Sequence, residues 1–196
     1  MQKIICFLII SLLSTHSFGF EIFALGTSNT NCRAGGYAFT NKLNQMLLAN
    51  GIQANVVNAG VDGDKPVFMV NRLEQGLKNY PEIKLILFEP GPNEQNKRFN
   101  MEYTEKILSQ LQEMKMPTIY SSSGMAQSRD EAIITAKKYG AYYYGPWLRD
   151  VPKDRVHYTF DGVKSETGHM AAPGCELWAK NMLPLVLQVI KEHNIR

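Results

Sequence analysis

Four short blocks in the 196-residue chain carry side chains that can do chemistry together: Gly26-Thr27-Ser28, Asn58-Ala59-Gly60-Val61-Asp62-Gly63-Asp64, Gly91-Pro92-Asn93-Glu94 and Glu166-Thr167-Gly168-His169. A serine hydroxyl is a weak nucleophile at neutral pH, so it needs a base to take its proton and donors aimed at the charge that develops on an attacked carbonyl. Ser28 offers the hydroxyl, and His169 an imidazole, the side chain best matched to proton shuttling near neutrality. Glu166, three residues before His169, can accept a hydrogen bond from the ring and hold its tautomer, as the acid of a triad does. Asn93 brings a side-chain amide, and Gly63 a main-chain N–H with no side chain in the way, both suited to an oxyanion.

Each residue also has a plainer reading. A serine after a strand often caps the next helix, an asparagine beside Gly91 and Pro92 is an ordinary turn residue, and so is a glycine between two aspartates. His16, His157 and His193 compete with His169; the first lies in the leading segment and the last near the chain end. The nucleophile-elbow pattern Gly-x-Ser-x-Gly is not met, because Thr30 occupies its final position.

The elements that would carry these residues are legible as an alternation. Runs 20–25, 52–57, 83–88, 117–120 and 141–144 are short and apolar or β-branched, as buried parallel strands are. Between them lie helical stripes, such as Phe39, Leu43, Met46 and Leu47, or Tyr103, Ile107, Leu108 and Leu111. Strand and helix in alternation predict an α/β fold: a three-layer α/β/α sandwich around a five-stranded parallel sheet. A last helix is expected from near Pro173 to Glu192, kinked or broken at Pro184. Functional groups in such sheets gather where the carboxyl ends of the strands meet the following loops. Ser28 follows the first run, Gly63 the second and Asn93 the third, while His169 closes a long irregular stretch, 151–169. A loop of that length in a compact chain is usually functional or mobile.

Bulk properties narrow the class. The length fits one domain, read as 20–196, with a sizeable core. A hydrophobic fraction of 44% with 20% charged residues excludes disordered and fibrous classes. Residues 1–19 read as a secretory signal: Lys3, the apolar run 4–13, then Ser17-Phe18-Gly19 with small residues at the two positions that signal peptidase reads. Export to the periplasm or medium is therefore expected, with no stable membrane span after cleavage, since the run is about half the required length. Losing residues 1–19 takes away Lys3, the only charged side chain among them, and lowers the formal net charge from +3 to +2, too little to argue for nucleic acid.

Cys6 leaves with the signal, so Cys32 and Cys175 remain. Two cysteines in an exported chain suggest one disulfide, and if Ser28 meets His169 the two are carried near one another; two separate buried thiols are the alternative. No Cys-x-x-Cys pair supports a redox protein, and no Cys and His cluster has metal-ligand spacing.

The order of the four blocks resembles the SGNH hydrolase superfamily, also called the GDSL esterases and lipases, whose blocks contribute serine, glycine, asparagine and histidine. The resemblance covers nearly the whole mature chain and is strongest to the small periplasmic thioesterase, lysophospholipase and arylesterase group. Gly26-Thr27-Ser28 stands where that family usually has Gly-Asp-Ser, the glycine donor maps onto Gly63 rather than Gly60, and Glu94 stands where aspartate is common. The last block follows Asp-x-x-His, so Glu166 replaces the acid; Asp161, which begins a rival register ending in Lys164, is the alternative acid.

The resemblance implies a flavodoxin-like fold and a serine esterase: Ser28, His169 and Glu166 for catalysis, and Ser28, Gly63 and Asn93 for the oxyanion. It implies no metal, no organic cofactor and a monomer acting on a small-molecule, saccharide or lipid ester. Short acyl or acetyl esters are the first expectation. A lysophospholipase or thioesterase on longer chains, or a binding module for acylated saccharides that has lost turnover, are the alternatives, the latter kept open by Thr27, Glu94 and Glu166. Tyr142, Tyr143, Tyr144, Trp147 and Phe160 can line an acyl pocket or stack on a sugar, though core filling is the commoner use of such residues.

Overall fold

The structure, a computed structural model, describes residues 19–146, 149–159 and 169–196. The expected signal segment lies outside them except for Gly19, as do Trp147, Phe160, Asp161 and Glu166.

The first strand shows how the sequence builds the sheet. In β1 (Phe20–Gly26) successive side chains point to opposite faces, and nearly all are apolar, so both faces must be covered. Ile22 and Ala24 pack into one core, Phe23 and Leu25 into the other. β2 (Ala54–Gly60), β3 (Ile83–Phe88), β4 (Thr118–Ser122) and β5 (Tyr142–Pro146) join it in one parallel sheet of order β2-β1-β3-β4-β5.

The helices divide between the faces. α2 (Ala38–Ala49) and α6 (Ala172–Glu192) cover one, with Phe39, Leu43, Leu47, Trp178, Met182 and Val186 buried against Ile22, Leu85 and Ile119. α3 (Pro66–Asn79), α4 (Lys97–Glu113) and α5 (Arg129–Lys138) cover the other through Met69, Leu73, Ile107, Leu111 and Ala132. Phe39 stacks on Trp178 with ring centroids 4.3 Å apart, locking α2 to α6; truncating a buried tryptophan of this kind to alanine costs about 3–5 kcal/mol. Local signals set the helix starts. Pro66 and Pro173 occupy first-turn positions, Asn96 caps α4, and Ser128 with Glu131 forms a reciprocal capping box on α5.

This is the expected three-layer arrangement, with differences that have physical causes. The second strand starts two residues later than its apolar run and continues through Asn58, Ala59 and Gly60, because Leu25 and Gly26 of β1 pair with Ala59 and Gly60. α6 runs through Pro184 without a break. The lost N–H costs one helical hydrogen bond, while Met182, Val186 and Val189 on either side are fully buried and hold the helix to the sheet.

The strand order fixes where a ligand can sit. From β1 the chain leads to α2 on one face, and from adjacent β3 to α4 on the other, so the two outgoing loops diverge and open a crevice at the carboxyl edge. Ser28 and Asn93 lie on those two loops.

Candidate active site

At the end of β1 the chain turns into a one-turn helix, α1 (Ser28–Asn31), with Thr27 as its N-cap. Ser28 is the first residue of that turn, and its Oγ lies 3.0 Å from Nε2 of His169, 141 residues later in sequence. Ser28 is buried and His169 half-buried.

Several contacts bring the histidine there. The Thr159 N–H donates to the His169 carbonyl at 2.8 Å, the Ala171 N–H to the His157 carbonyl at 2.9 Å, and Tyr158 pairs with Met170 in an antiparallel bridge. Gly174, in the first turn of α6, packs so closely on His157 that a Cβ would lie 2.2 Å from its carbonyl oxygen. A disulfide between Cys32 and Cys175, Cα atoms 6.1 Å apart, then ties the end of α1 to the start of α6. Nucleophile turn and histidine segment are thus covalently joined. His157 is engaged elsewhere, its Nδ1 2.7 Å from Asp154.

Beneath the serine turn lies a buried carboxylate, Glu89, to which the sequence alone assigns no role. Glu89 follows β3 directly and is 3% exposed. The Thr27 N–H and hydroxyl each donate to its Oε2 at 2.9 Å, and the Thr30 hydroxyl donates to the same oxygen at 3.1 Å. Burial pushes the Glu89 pKa up to about 7, against the downward pull of those hydrogen bonds. Its sequence signal was a charged residue directly after the apolar run 85–88. Thr27, where the resembling family has aspartate, fills the space against Gly91, at which any Cβ would lie 2.1 Å from the Thr27 methyl.

The other two loops are drawn in by polar contacts. Asn31 of α1 donates to Asp62 at 3.0 Å, and the Asn93 side-chain amide donates to the Asp64 carbonyl at 2.9 Å. Lys65 and Glu94 form an ion pair at 3.2 Å alongside. The two glycines of the second block differ in kind. Gly60 sits against α1, where a Cβ would lie 2.1 Å from the Asn31 nitrogen, whereas Gly63 has φ +72° with open space around it. Arg72 on α3 binds the Gly26 and Ala59 carbonyls and Asp64, and sequence reading missed it.

Blocks one and four therefore meet directly, and blocks one, two and three are linked through hydrogen bonds. Both candidate acids, Glu166 and Asp161, lie outside the described residues. Tyr142, Tyr143 and Tyr144 are placed structurally: Tyr144 is buried in the core, the Tyr143 hydroxyl meets Ser122 at 3.0 Å, and Tyr142 donates to Glu192 at 2.6 Å. Among the described residues no group of His, Cys, Asp and Glu is arranged to hold a metal ion.

No family model matches the chain, and no curated protein matches it. Solved structures do. The psychrotrophic esterase EstA from Pseudoalteromonas sp., in a structure inhibited by monoethylphosphonate, superposes with TM-score 0.72 at 13% identity over 87% of this chain and 98% of its own. TesA gives 0.72 at 14% identity over 86% and 99%, and AlinE4, an SGNH-hydrolase family esterase, 0.61 at 22% over 87% and 96%. The chain has the fold of the SGNH-hydrolase esterases.

Proposed function

We propose that the protein is a carboxylic ester hydrolase with Ser28 as nucleophile and His169 as its base. The observation that carries this is the 3.0 Å contact between Ser28 Oγ and His169 Nε2, within the range a general base needs. In the first step Ser28 Oγ bonds to the ester carbonyl carbon as its proton passes to Nε2, leaving a tetrahedral oxyanion. Collapse breaks the bond to the alcohol oxygen, which takes the proton from His169. Water repeats the sequence on the acyl-enzyme, releasing the acid and restoring Ser28. The oxyanion is held by the Ser28 and Gly63 N–H groups and the Asn93 amide, a contribution on the order of 10²-fold to 10³-fold per donor. Glu166, with Asp161 as alternative, orients the imidazole and stabilises its charged form.

Such chemistry requires no metal or organic cofactor. Short acyl or acetyl esters are the proposed substrates. Longer acyl chains are the second reading, favoured by Val61 and Phe68, after β2, and Phe99, after β3, which stand exposed at the carboxyl edge of the sheet. We also infer export as a monomer after removal of residues 1–19; the Cys32–Cys175 bridge supports an oxidising compartment. No helix among the described residues is long and apolar enough to cross a membrane.

The test is hydrolysis of p-nitrophenyl esters of increasing chain length by the wild type beside Ser28→Ala. The variant should lose several orders of magnitude, as triad nucleophile removals do; equal slow turnover by both would remove the proposal. Asp161→Asn against Glu166→Gln then assigns the acid, since only the true partner should cause a large loss with the fold intact.

A further inference from the structure

Arg72 lies in α3, outside the four blocks, yet its guanidinium bridges the ends of β1 and β2, from which the Ser28 turn and the Gly63 loop depart. Nη2 donates to the Gly26 carbonyl at 2.9 Å, Nη1 donates to the Ala59 carbonyl, and the group is ion-paired with Asp64. These partners lie at the ends of β1 and β2 and at the start of α3. The pair is well shielded, with side-chain exposures of 21% for Arg72 and 6% for Asp64. Burial draws the guanidinium's pKa down and the Asp64 carboxylate opposes it; an arginine starts high enough to remain charged.

The consequence follows from what each partner holds. Gly26 lies two residues before Ser28, and Gly63 is adjacent to Asp64. The Asp64 carbonyl accepts from Asn93 Nδ2 at 2.9 Å. A carbonyl only accepts, so this contact fixes which end of the Asn93 amide is the donor and leaves its second N–H to serve another acceptor. All three proposed oxyanion donors are thus one hydrogen bond or at most two residues from a group that Arg72 grips. Its planar fork matches this three-acceptor geometry; the point charge of a lysine cannot span it.

We propose that Arg72 is a positioning residue for the oxyanion hole, setting the mutual placement of Ser28 N–H, Gly63 N–H and Asn93 Nδ2. The proposal rests on the serine-hydrolase reading above. It makes Arg72 matter to the tetrahedral state more than to the bound ester, because only the former carries the charge that the donors meet.

The test uses Arg72→Lys, which keeps the charge but not the fork, and Asp64→Asn, which weakens the ion pair while keeping the carbonyl that Asn93 contacts. kcat is expressed per active site titrated with a fluorophosphonate, so that misfolded protein does not count. Arg72→Lys is expected to lower kcat by about 10-fold to 100-fold, the scale of a misplacement near 1 Å, with KM within about 3-fold. The Ki of a boronic acid, which forms a tetrahedral serine adduct, should rise in parallel with that loss, and the inhibition constant of the product carboxylate should stay put. Asp64→Asn should move the same quantities less. Wild-type kcat per titrated site in Arg72→Lys overturns the proposal, as does a rise in KM alone or a boronate Ki that does not follow kcat. If the wild type neither hydrolyses esters nor reacts at Ser28, the serine-hydrolase reading fails instead; an active wild type matched by Arg72→Lys removes the role of Arg72 alone.

Discussion

Replacing Glu89 with glutamine should change the protein's stability by an amount that depends on pH. Glu89 is buried and accepts hydrogen bonds from Thr27 and Thr30, and burial raises its pKa from the ordinary 4.5 to about 7. Between those values the native state keeps a proton that the unfolded chain has released. By linkage, stability then falls as pH rises through this window; the loss is complete above about 7 and absent below the unfolded value. At ~1.36 kcal/mol per pH unit, the rise corresponds to about 3 kcal/mol. Glutamine does not titrate, so the stability of Glu89→Gln relative to wild type should be about 3 kcal/mol more favourable at pH 8 than at pH 4. Urea denaturation at both pH values, disulfide intact, measures it directly. A melting series should show the same trend, at about 2–4 °C per kcal/mol for a chain of this size. Groups common to both proteins cancel in the comparison. A difference between variant and wild type that is the same at pH 4 and pH 8 would refute the reasoning.

Four further variants have expected outcomes. Cys32→Ser with Cys175→Ser should cost about 2–5 kcal/mol in denaturant unfolding, because the bridge closes a long loop, and should lower kcat by loosening the histidine against the serine turn. Gly60→Ala should impair both the melting temperature and esterase activity, since its Cβ would meet the Asn31 nitrogen at 2.1 Å; Gly63→Ala, in open space at φ +72°, should cost about 1–2 kcal/mol through backbone strain. Asn93→Ala should reduce kcat on the order of 10²-fold with little change in KM, as steady-state kinetics on a short ester would show.

Much of the fold could be read from the chain because its strands are locally unambiguous. β3 matches its apolar run at both ends, bounded outside by Glu82 and by Glu89-Pro90. β2 drifted because Asn58, Ala59 and Gly60 have little strand character of their own and are extended by pairing with β1. Pro184 reads locally as a break, yet tertiary packing carries α6 past it. Within the candidate site, the meeting of Ser28 with His169 was legible because loops after strands converge in this fold. Glu89 and Arg72 were not assigned roles, since a buried carboxylate under α1 and a guanidinium bridging the ends of β1 and β2 exist only once the elements have packed. Thr27 looked like a departure; it is a buried cap whose methyl packs over Gly91 and whose hydroxyl reaches Glu89.

The most direct measurement of the central claim is covalent labelling with a fluorophosphonate, followed by peptide mapping. A hydroxyl activated by His169 should give one phosphonyl adduct per chain, on Ser28, with hydrolysis of a short ester lost in step, and His169→Ala should label far more slowly. An unmodified chain under conditions that label a known serine hydrolase, or an adduct on another residue with hydrolysis unaffected by Ser28→Ala, would contradict it.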